Sequence, residues 1–425
     1  MMHYGIVCPA VPGHLNPSLS LGKALQKHGH RVTFITILDA QSKIEALGLE
    51  TQIMGRDLFP KGSLKKRLNL LGEYRGLTAF KYTIKLFQEA GIICFRDMPK
   101  IIEEAGIEAL ILDQGTFEGP TIAEFMNLPF ITLCNALMIH AEPAIPPFNL
   151  SWQYNPSWFG CWRNQLAYTL TTQVFKPIRK TINQYRQQWH LPLYSHPNDA
   201  NSPLAQISQQ PAAFEFPRKK LPLCFHFTGP YHYSSAREPV PFPWEKLTGK
   251  PLIYASMGTL QNRLLYVFEI IAEACQKLDA QLVISLGSST PSEALPQLAG
   301  NPIVVNYAPQ LELLQKASLT ITHAGLNTTL ESLTNGVPLV AIPVTNDQPG
   351  VAARIVWTGV GEQISLKALN PEKLRRLVQK VLTESSYKEN AVRLQKAIQA
   401  SGGVEQAVDI IEQAVRTNQP VLRKL

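Results

Sequence analysis

The chain has 425 residues, of which 45% are hydrophobic and 17% are charged. This composition is typical of globular proteins and excludes disorder as the main state, and the length is enough for two or three domains. No run reaches the ~18 apolar residues that a bilayer span needs. The first residues show no basic leader with a cleavage site, so we expect a cytoplasmic protein that is not secreted.

Six cysteines are present, without a C-x-x-C pair and without a Cys/His group at metal-ligand spacing. Several of them lie in apolar, strand-like runs. We therefore predict buried free thiols and no metal site; the alternative is a set of disulfides. The cysteines are Cys8, Cys94, Cys134, Cys161, Cys224 and Cys275.

Basic residues outnumber acidic ones by 40 to 32, a net charge of +8, which favours an anionic partner without naming it. Residues 56–100 hold ten Lys or Arg against four Asp or Glu, which is +6 of that total. Apolar residues recur there at helical spacing. Two interpretations stay open: solvated helices that pack on the first domain, or an acceptor lip in peripheral contact with an anionic membrane. The apolar positions are Leu64, Leu68, Leu71, Leu77, Phe80, Ile84 and Phe87.

Short β-branched runs alternate with helix-length amphipathic segments along the whole chain. This pattern predicts parallel sheets with helices on both faces. The candidate strands of the first half are Tyr4–Cys8, Arg31–Ile37, Ala109–Leu112, Pro129–Cys134 and Leu223–Thr228. The pattern then restarts with Leu252–Ser256, Gln281–Ser285, Ile303–Asn306, Leu319–Thr322 and Val337–Pro343. Two doubly wound units follow from this restart.

The proline-containing run at residues 228–244 separates the two sets of strands and is typical of an exposed linker. We predict a first unit at 1–228, a linker at 229–250 and a second unit at 251–403. A helix over Val404–Arg416 belongs to a C-terminal segment, 404–425, that packs back toward the first unit. Doubly wound sheets bind ligands at the carboxyl ends of their strands, so the predicted cleft lies between the units.

Residues 319–338 carry the most informative motif. A strand ending at His323 is followed by a turn with glycine and then by a helix from about Leu326 to Asn335. The free N–H groups and dipole at such a helix start favour a phosphate, and Asn327 and Thr328 add donors. Glu331 lies one turn later, and its carboxylate could accept hydrogen bonds from two ribose hydroxyls. Ordinary helix capping beside an exposed glutamate is the alternative.

Two neighbouring stretches strengthen the phosphate interpretation. Asp347 and Gln348 follow the strand Val337–Pro343, at the edge of the sheet where ligand residues belong. Tyr307 and Gln310 follow another strand and supply an aromatic ring and an amide. Together these positions could hold a base, a ribose, two phosphates and a sugar.

At this point the chain resembles a known family. The run Tyr307-Ala-Pro-Gln-Leu-Glu-Leu-Leu, then His323-Ala-Gly-Leu-Asn-Thr-Thr-Leu-Glu331, Gly336-Val-Pro-Leu and Asp347-Gln348 is similar to the donor-binding signature of UDP-dependent glycosyltransferases that act on small lipophilic molecules. The stretches 347–356 and 413–422 look most like bacterial zeaxanthin glucosyltransferases. The resemblance covers nearly the whole chain and is weakest at residues 55–95 and 142–208. It implies two Rossmann-like α/β domains in the GT-B arrangement, with the acceptor on the first and the nucleotide sugar on the second.

The resemblance also implies a donor site. In it Tyr307 stacks on uracil, Gln310 lies near the base, and Glu331 holds the ribose. Diphosphate contacts come from His323, Asn327, Thr328 and Thr259, and sugar contacts from Asp347 and Gln348. Plant members usually have Trp where Tyr307 and Leu326 stand, so the base and sugar contacts differ in detail. The implied set is Thr259, Ser285, Tyr307, Gln310, His323, Gly325, Asn327, Thr328, Glu331, Asp347 and Gln348.

His14 lies in Gly-His-Leu-Asn-Pro after the first strand, on a predicted loop. An isolated loop histidine is usually a surface residue, but the resemblance implies a general base that removes the acceptor proton. It also implies an aspartate that orients this histidine, and Asp113 ends a later strand of the same unit. A helix N-cap is the alternative for Asp113.

The implied reaction is inverting transfer of a hexose, most simply glucose, from a UDP-sugar to a hydroxyl of a lipophilic acceptor such as a carotenoid. The UDP-sugar is a co-substrate, and we expect no cofactor and no nucleic-acid partner. We also expect no metal, since the chain has no Asp-x-Asp. A phenolic or other secondary-metabolite acceptor, a sugar-nucleotide epimerase and a binding protein without turnover stay open. An NAD-dependent dehydrogenase is disfavoured because Gly-x-Gly-x-x-Gly does not follow the first strand.

Overall fold

The computed structural model describes residues 1–73, 76–231, 240–258, 264–287 and 297–423. The strands are β1 His3–Val7, β2 Arg31–Thr36, β3 Glu50–Ile53, β4 Ala109–Asp113, β5 Phe130–Cys134, β6 Gln206–Ser208, β7 Phe225–Phe227, β8 Leu252–Ser256, β9 Gln281–Ser285, β10 Ile303–Val305, β11 Ala317–Thr322, β12 Leu339–Ala341 and β13 Gly361–Gln363. The helices are α1 Pro12–Lys27, α2 Leu38–Glu45, α3 Ser63–Glu73, α4 Gly76–Ala105, α5 Gly119–Phe125, α6 Trp158–Val174, α7 Lys176–Gln188, α8 Leu265–Cys275, α9 Gln310–Leu314, α10 Leu326–Thr334, α11 Gln348–Trp357, α12 Pro371–Thr383, α13 Ser385–Gln399 and α14 Gly403–Thr417.

The first seven strands form one parallel sheet in the order β3-β2-β1-β4-β5-β6-β7. Successive side chains of a strand point to opposite faces, and both faces are apolar. On one face Ile6 and Ile111 pack beneath α1 and α14. On the other face Val7 and Leu112 pack beneath α4, α5 and α7. Burial on both faces is the reason that these strands are nearly continuous apolar runs.

The other six strands form a second parallel sheet in the order β10-β9-β8-β11-β12-β13. Ile253 and Ile321 face α8 and α12. Residues on the opposite face, such as Leu339, pack against α10, α11 and α13. The prediction of two doubly wound units is therefore confirmed.

The C-terminal helix α14 crosses to the first sheet and packs against α1. Val408 and Ile411 of α14 are buried in the same core as Leu21 and Leu25 of α1. Beyond the helix, the N–H of Val421 donates to the carbonyl oxygen of Leu204, at 2.9 Å. The end of the described chain is thus part of the first unit.

Three strands were not predicted from the sequence, namely β3, β6 and β13. Each has only three or four residues, and polar side chains such as Glu50, Gln206 and Glu362 interrupt the apolar pattern. Neighbouring strands supply the hydrogen bonds that make these short segments regular, and that contribution is not visible in a local pattern. The predicted strand Leu319–Thr322 ends where β11 ends, although β11 begins two residues earlier, at Ala317, and His323 directly follows it.

The six cysteines are free, five of them buried and Cys161 half-buried, so the prediction of buried thiols is confirmed for five. Among the helices of the described ranges, none combines the length and apolarity needed to cross a bilayer. Residues 232–239 of the predicted linker lie outside the described residues.

Candidate active site

The strand order of the first sheet reverses between β1 and β4, which are neighbours. Chain segments leave these two strands in opposite directions, so a crevice forms at their carboxyl ends. His14 follows β1 and Asp113 ends β4, and this adjacency brings together two residues that are 99 positions apart. The distance from His14 Nδ1 to Asp113 Oδ2 is 2.9 Å.

His14 does not lie on a loop, which corrects the sequence-based expectation. Helix α1 already begins at Pro12, so His14 is in its first turn, and its N–H donates to the carbonyl oxygen of Val11 at 3.0 Å. Proline is favoured at the first helical position because it has no N–H to leave unpaired there. The helix therefore holds the backbone of His14 more rigidly than a loop would.

Asp113 is buried and held by three donors. Its Oδ2 accepts from His14 and also from Asn135 Nδ2 at 2.8 Å, and its Oδ1 accepts from the N–H of Gly115 at 2.7 Å. The alternative role as a helix N-cap does not apply, since α5 begins only at Gly119. The carboxylate is thus fixed in an orientation that selects one tautomer of the histidine.

Partial burial of His14, whose side chain is 23% exposed, lowers its pKa, but the carboxylates of Asp113 and Asp347 outweigh this effect and raise the pKa above its usual value. With the proton on Nδ1 directed at Asp113, the neutral ring carries its lone pair on Nε2. That nitrogen is the one available to a substrate, and His14 lines the main cleft.

The second sheet repeats this arrangement. Its order reverses between β8 and β11, and Gly258 after β8 meets His323 after β11. Gly258 has a φ of +76°, and a Cβ atom there would lie 2.6 Å from His323 Nε2, so only glycine fits beside the ring. Burial lowers the pKa of His323 to about 4. The ring is therefore neutral near pH 7 and can donate one hydrogen bond.

Helix α10 begins next to His323. Gly325 is its N-cap residue, and Thr328 lies buried in its first turn. The first N–H groups of the helix and the positive end of its dipole face the same cleft, an arrangement that suits a diphosphate. Thr259, another predicted diphosphate ligand, lies outside the described residues.

Glu331 is buried on α10 and is held by a chain of polar side chains. Tyr254 donates to Gln310 Oε1 at 2.9 Å, and Gln310 Nε2 donates to Glu331 Oε2 at 2.5 Å. Gln310, expected near the base, thus contacts the residue expected to bind the ribose. Ser285, at the end of β9, and Tyr307, which is 47% exposed, line the same cleft.

Asp347 and Gln348 lie at the start of α11, beside the histidine of the other unit. The carboxamide oxygen of Gln348 accepts from the N–H groups of Val344 and Thr345, at 2.9 and 3.0 Å. Burial raises the pKa of Asp347, while a 3.0 Å hydrogen bond from the N–H of Leu137 opposes that rise. Both side chains are therefore fixed in place.

Asn327 was expected at the diphosphate, but here it joins the two units. Its Nδ2 donates to the carbonyl oxygen of Gly13 at 2.9 Å, and its Oδ1 accepts from Gln209 Nε2 at 2.7 Å. Both ends of the amide are occupied, so in this structure Asn327 positions His14's neighbour. Asn327 also lines the cleft, and its contact with the diphosphate stays a prediction.

Sequence reasoning missed Asn135 and Gln209. Asn135 directly follows β5. It could have been found in the same way as Asp347, since both are polar residues at the carboxyl end of a predicted strand. Gln209 directly follows β6, and it could not be found by that rule because β6 itself was not predicted.

The two units are in direct contact through helix α11. Arg354 pairs with Glu215 at 2.5 Å, and both side chains are buried. A Cβ atom on Gly350 would lie 2.1 Å from the carbonyl oxygen of Phe148, so the start of α11 approaches the first unit closely. These contacts hold the histidine and the donor residues around one space.

That space is a cleft of about 2800 Å³. It extends from the residues around His323 and Glu331, past His14, to an arm formed by α3, α4 and α6. The arm is mostly apolar, with Leu68, Phe87 and Phe175 in its walls. The walls can thus enclose a charged nucleotide at one end and an apolar molecule at the other.

Comparisons with known proteins agree with this geometry. Residues 78–417 match the family described as "UDP-glucoronosyl and UDP-glucosyl transferase". The chain belongs to this family. A zeaxanthin glucosyltransferase of Pantoea ananas is 32% identical over 99% of this chain and 98% of the relative, and one of Pseudescherichia vulneris is 30% identical over 99% and 100%.

Among solved structures, the glycotransferase of kitacinnamycin superposes with a TM-score of 0.76, at 22% identity, over 97% of this chain and 98% of that one. At that identity the likeness concerns the fold, which is GT-B. As a member of the UDP-glycosyltransferase family with this fold, the protein is a glycosyltransferase that uses a UDP-sugar donor.

Proposed function

We propose that the protein transfers glucose from UDP-glucose to a hydroxyl of a lipophilic acceptor, most simply a hydroxylated carotenoid, with inversion at the anomeric carbon. One observation carries the proposal: the His14–Asp113 pair lies between the apolar arm and the residues around His323 and Asp347 in a single cleft. The names of the zeaxanthin glucosyltransferases at 32% and 30% identity support the choice of sugar and acceptor.

In the proposed reaction the acceptor hydroxyl gives its proton to Nε2 of His14 while its oxygen attacks the anomeric carbon of glucose. The new carbon–oxygen bond forms on the face opposite the bond to UDP, which breaks, so a single displacement inverts the centre. Asp113 stabilises the imidazolium as it forms and keeps the ring oriented. The raised pKa of His14 is consistent with a base that works near neutral pH.

The departing UDP takes up negative charge as the bond breaks. The N–H groups at the start of α10, with Thr328 and the neutral ring of His323, supply preorganised donors there. The chain from Tyr254 through Gln310 to Glu331 holds a carboxylate for the ribose hydroxyls. Asp347 and Gln348 are proposed to bind the sugar.

The apolar arm supports a lipophilic acceptor. Leu64, Leu68 and Leu71 of α3 line it, so the predicted acceptor lip coincides with a wall of the cleft. Part of the positive charge of residues 56–100 is neutralised within the segment, because Arg67 pairs with Glu89, and Arg96 pairs with Asp57 at 2.8 Å. Exposed Lys65 and Lys66 remain candidates for the proposed contact of this segment with an anionic membrane.

The proposal is tested by incubating the protein with UDP-glucose, UDP-galactose or UDP-glucuronate and an acceptor panel presented in detergent micelles. The panel contains a hydroxylated carotenoid, a long-chain alcohol and a phenol, and products are identified by mass spectrometry. The expected product is the carotenoid carrying one hexose, in the inverted configuration by NMR. Transfer only to the phenol would show that the acceptor is a phenol and not a carotenoid. Isomerisation of the donor would indicate an epimerase, and an unchanged donor would indicate a binding protein.

A further inference from the structure

Helix α6 carries a row of large apolar side chains on its outer face. Single exposed apolar residues are common on soluble proteins, but five on one face of one helix are not. They recur mostly four positions apart, which places them on adjacent turns. We call this row the α6 ridge. It consists of Trp158, Phe159, Trp162, Leu166 and Leu170, which are 81%, 52%, 54%, 49% and 61% exposed.

The stretch of sequence around the ridge is basic and contains no acidic residue. Residues 143–198 include neither Asp nor Glu, against five Lys or Arg. Arg186 is buried against Glu124, but Lys176 and Lys180 are exposed one turn apart on α7, directly after the ridge. The charge around α6 thus complements an anionic surface.

The composition of the ridge, together with its basic flank, favours a lipid surface over a protein partner. Tryptophan and phenylalanine are the side chains that favour the boundary between headgroups and acyl chains, and flanking lysines extend to anionic headgroups. A helix with an apolar outer face and a basic flank lies in the plane of the interface and does not span it.

The ridge also adjoins the apolar arm of the cleft. Tyr168, Thr172 and Val174 of the same helix line the cleft from its inner side. Leu170 belongs to both surfaces, since it is 61% exposed and also lines the cleft. An apolar molecule that leaves a bilayer beside α6 would reach the arm without crossing bulk water.

We propose that α6 is a membrane-docking helix: the α6 ridge inserts into the interface of an anionic bilayer, Lys176 and Lys180 contact its headgroups, and a lipophilic acceptor enters the cleft beside Leu170. The proposed docking is inferred from the exposed ridge and the lysines that follow it. Only the delivery of the acceptor rests on the proposed function.

Sedimentation with vesicles tests the docking in the absence of donor and acceptor. Phosphatidylcholine vesicles with and without phosphatidylglycerol are compared at low and high salt. The wild type is expected to bind the anionic vesicles and to be released in part by salt. A Trp158→Glu, Trp162→Glu variant is expected to bind about tenfold less or weaker still, because it loses two interfacial aromatic rings and adds two negative charges. Tyr266→Glu, at a 46% exposed site on α8, is the matched control and should bind like the wild type.

Further variants separate the competing surfaces. Lys176→Glu with Lys180→Glu should remove most of the preference for anionic vesicles, whereas Lys65→Glu with Lys66→Glu, on α3, should reduce it less. A double tryptophan variant that sediments like the wild type overturns the proposal. So does a wild-type dimer, seen by light scattering, that this variant converts to a monomer, because the ridge would then be an interface between two copies.

A transfer assay separates this proposal from the proposed function. With acceptor in micelles, the double tryptophan variant should transfer glucose within about twofold of the wild type, since it is changed outside the proposed chemistry. With acceptor embedded in anionic vesicles, its rate should fall in parallel with binding, by about tenfold. Failure of wild-type transfer in micelles would overturn the proposed function and leave the vesicle-binding result intact.

Discussion

The main-chain N–H of Leu137 donates a 3.0 Å hydrogen bond to Oδ2 of Asp347, and thereby connects the first unit to the residue proposed to hold the sugar. The Asp347 carboxylate also contributes to the raised pKa of His14. Contact between the two units therefore fixes the proposed sugar-binding carboxylate and at the same time contributes to the basicity of the proposed base.

Replacement of His14 tests the base directly. We expect His14→Ala to lower kcat by roughly 10²–10⁴, which is the usual contribution of a general base, while the Kd for UDP changes little because the nucleotide residues are on the other unit. Steady-state kinetics and calorimetric titration with UDP provide the two values. A variant with wild-type kcat would contradict the assignment.

Replacement of Asp113 tests the orientation and the pKa of that base. In the proposed mechanism neutral His14 is the active form, so kcat/KM should rise as the pH rises through its pKa. Asp113 raises that pKa; in Asp113→Asn the ascending limb should therefore move to lower pH, and the plateau should fall by roughly 10²–10⁴. The check is a pH–rate profile of both proteins. An unmoved limb would show that Asp113 does not act on the titrating group.

Removal of the Glu331 carboxylate tests the ribose site. Hydrogen bonds to a charged group contribute about 1.5–3 kcal/mol, so Glu331→Gln should raise KM for UDP-glucose by roughly 10- to 100-fold. The expected effect on kcat is smaller, because the ribose is distant from the bond that breaks. Glu269→Gln, at an exposed position on α8, is the matched control. A KM equal to that of the control would exclude the assigned role.

Metal independence is a separate expectation. If the start of α10, His323 and Thr328 stabilise the diphosphate, excess EDTA should leave the rate of transfer within about twofold, because no proposed step uses Lewis-acid catalysis. The assay compares chelated enzyme with enzyme supplied with Mg²⁺ or Mn²⁺. Activity that is lost with EDTA and restored by either ion would show that the donor contacts are incomplete.

The junction of α1 and α14 should respond to pH. Hydrogen bonds to Glu405, at 3.0 Å, and to Glu412, at 2.9 Å, raise the pKa of His28, with burial opposing them. A pKa raised by folding stabilises the folded state below the unfolded pKa, and this contribution is lost as the pH rises through the folded pKa. The advantage of the wild type over His28→Gln in Tm should therefore shrink as the pH rises above about 6.5, the ordinary pKa of histidine. A Tm advantage that grows as the pH rises would contradict this prediction.

Much of the architecture was accessible from the sequence alone. Long apolar β-branched strands such as Leu252–Ser256 and Gln281–Ser285 have the observed bounds, because a strand buried on both faces must be apolar throughout. The helix start at Leu326 was also predicted, since glycine and polar residues mark it locally. The roles of the individual site residues, by contrast, stay predictions until they are measured.

Only the tertiary structure decided which distant residues meet. Strand order places β1 beside β4 and β8 beside β11, so that His14 reaches Asp113 and Gly258 reaches His323. Contact between the two units brings Asn327 to the carbonyl oxygen of Gly13, which its place in the sequence does not indicate. Helix packing left the α6 ridge exposed, although its residues resemble a core in sequence. The local sequence pattern indicates whether a residue is buried or exposed. Which distant residue it contacts depends on the register and spatial order of elements that are far away in the chain.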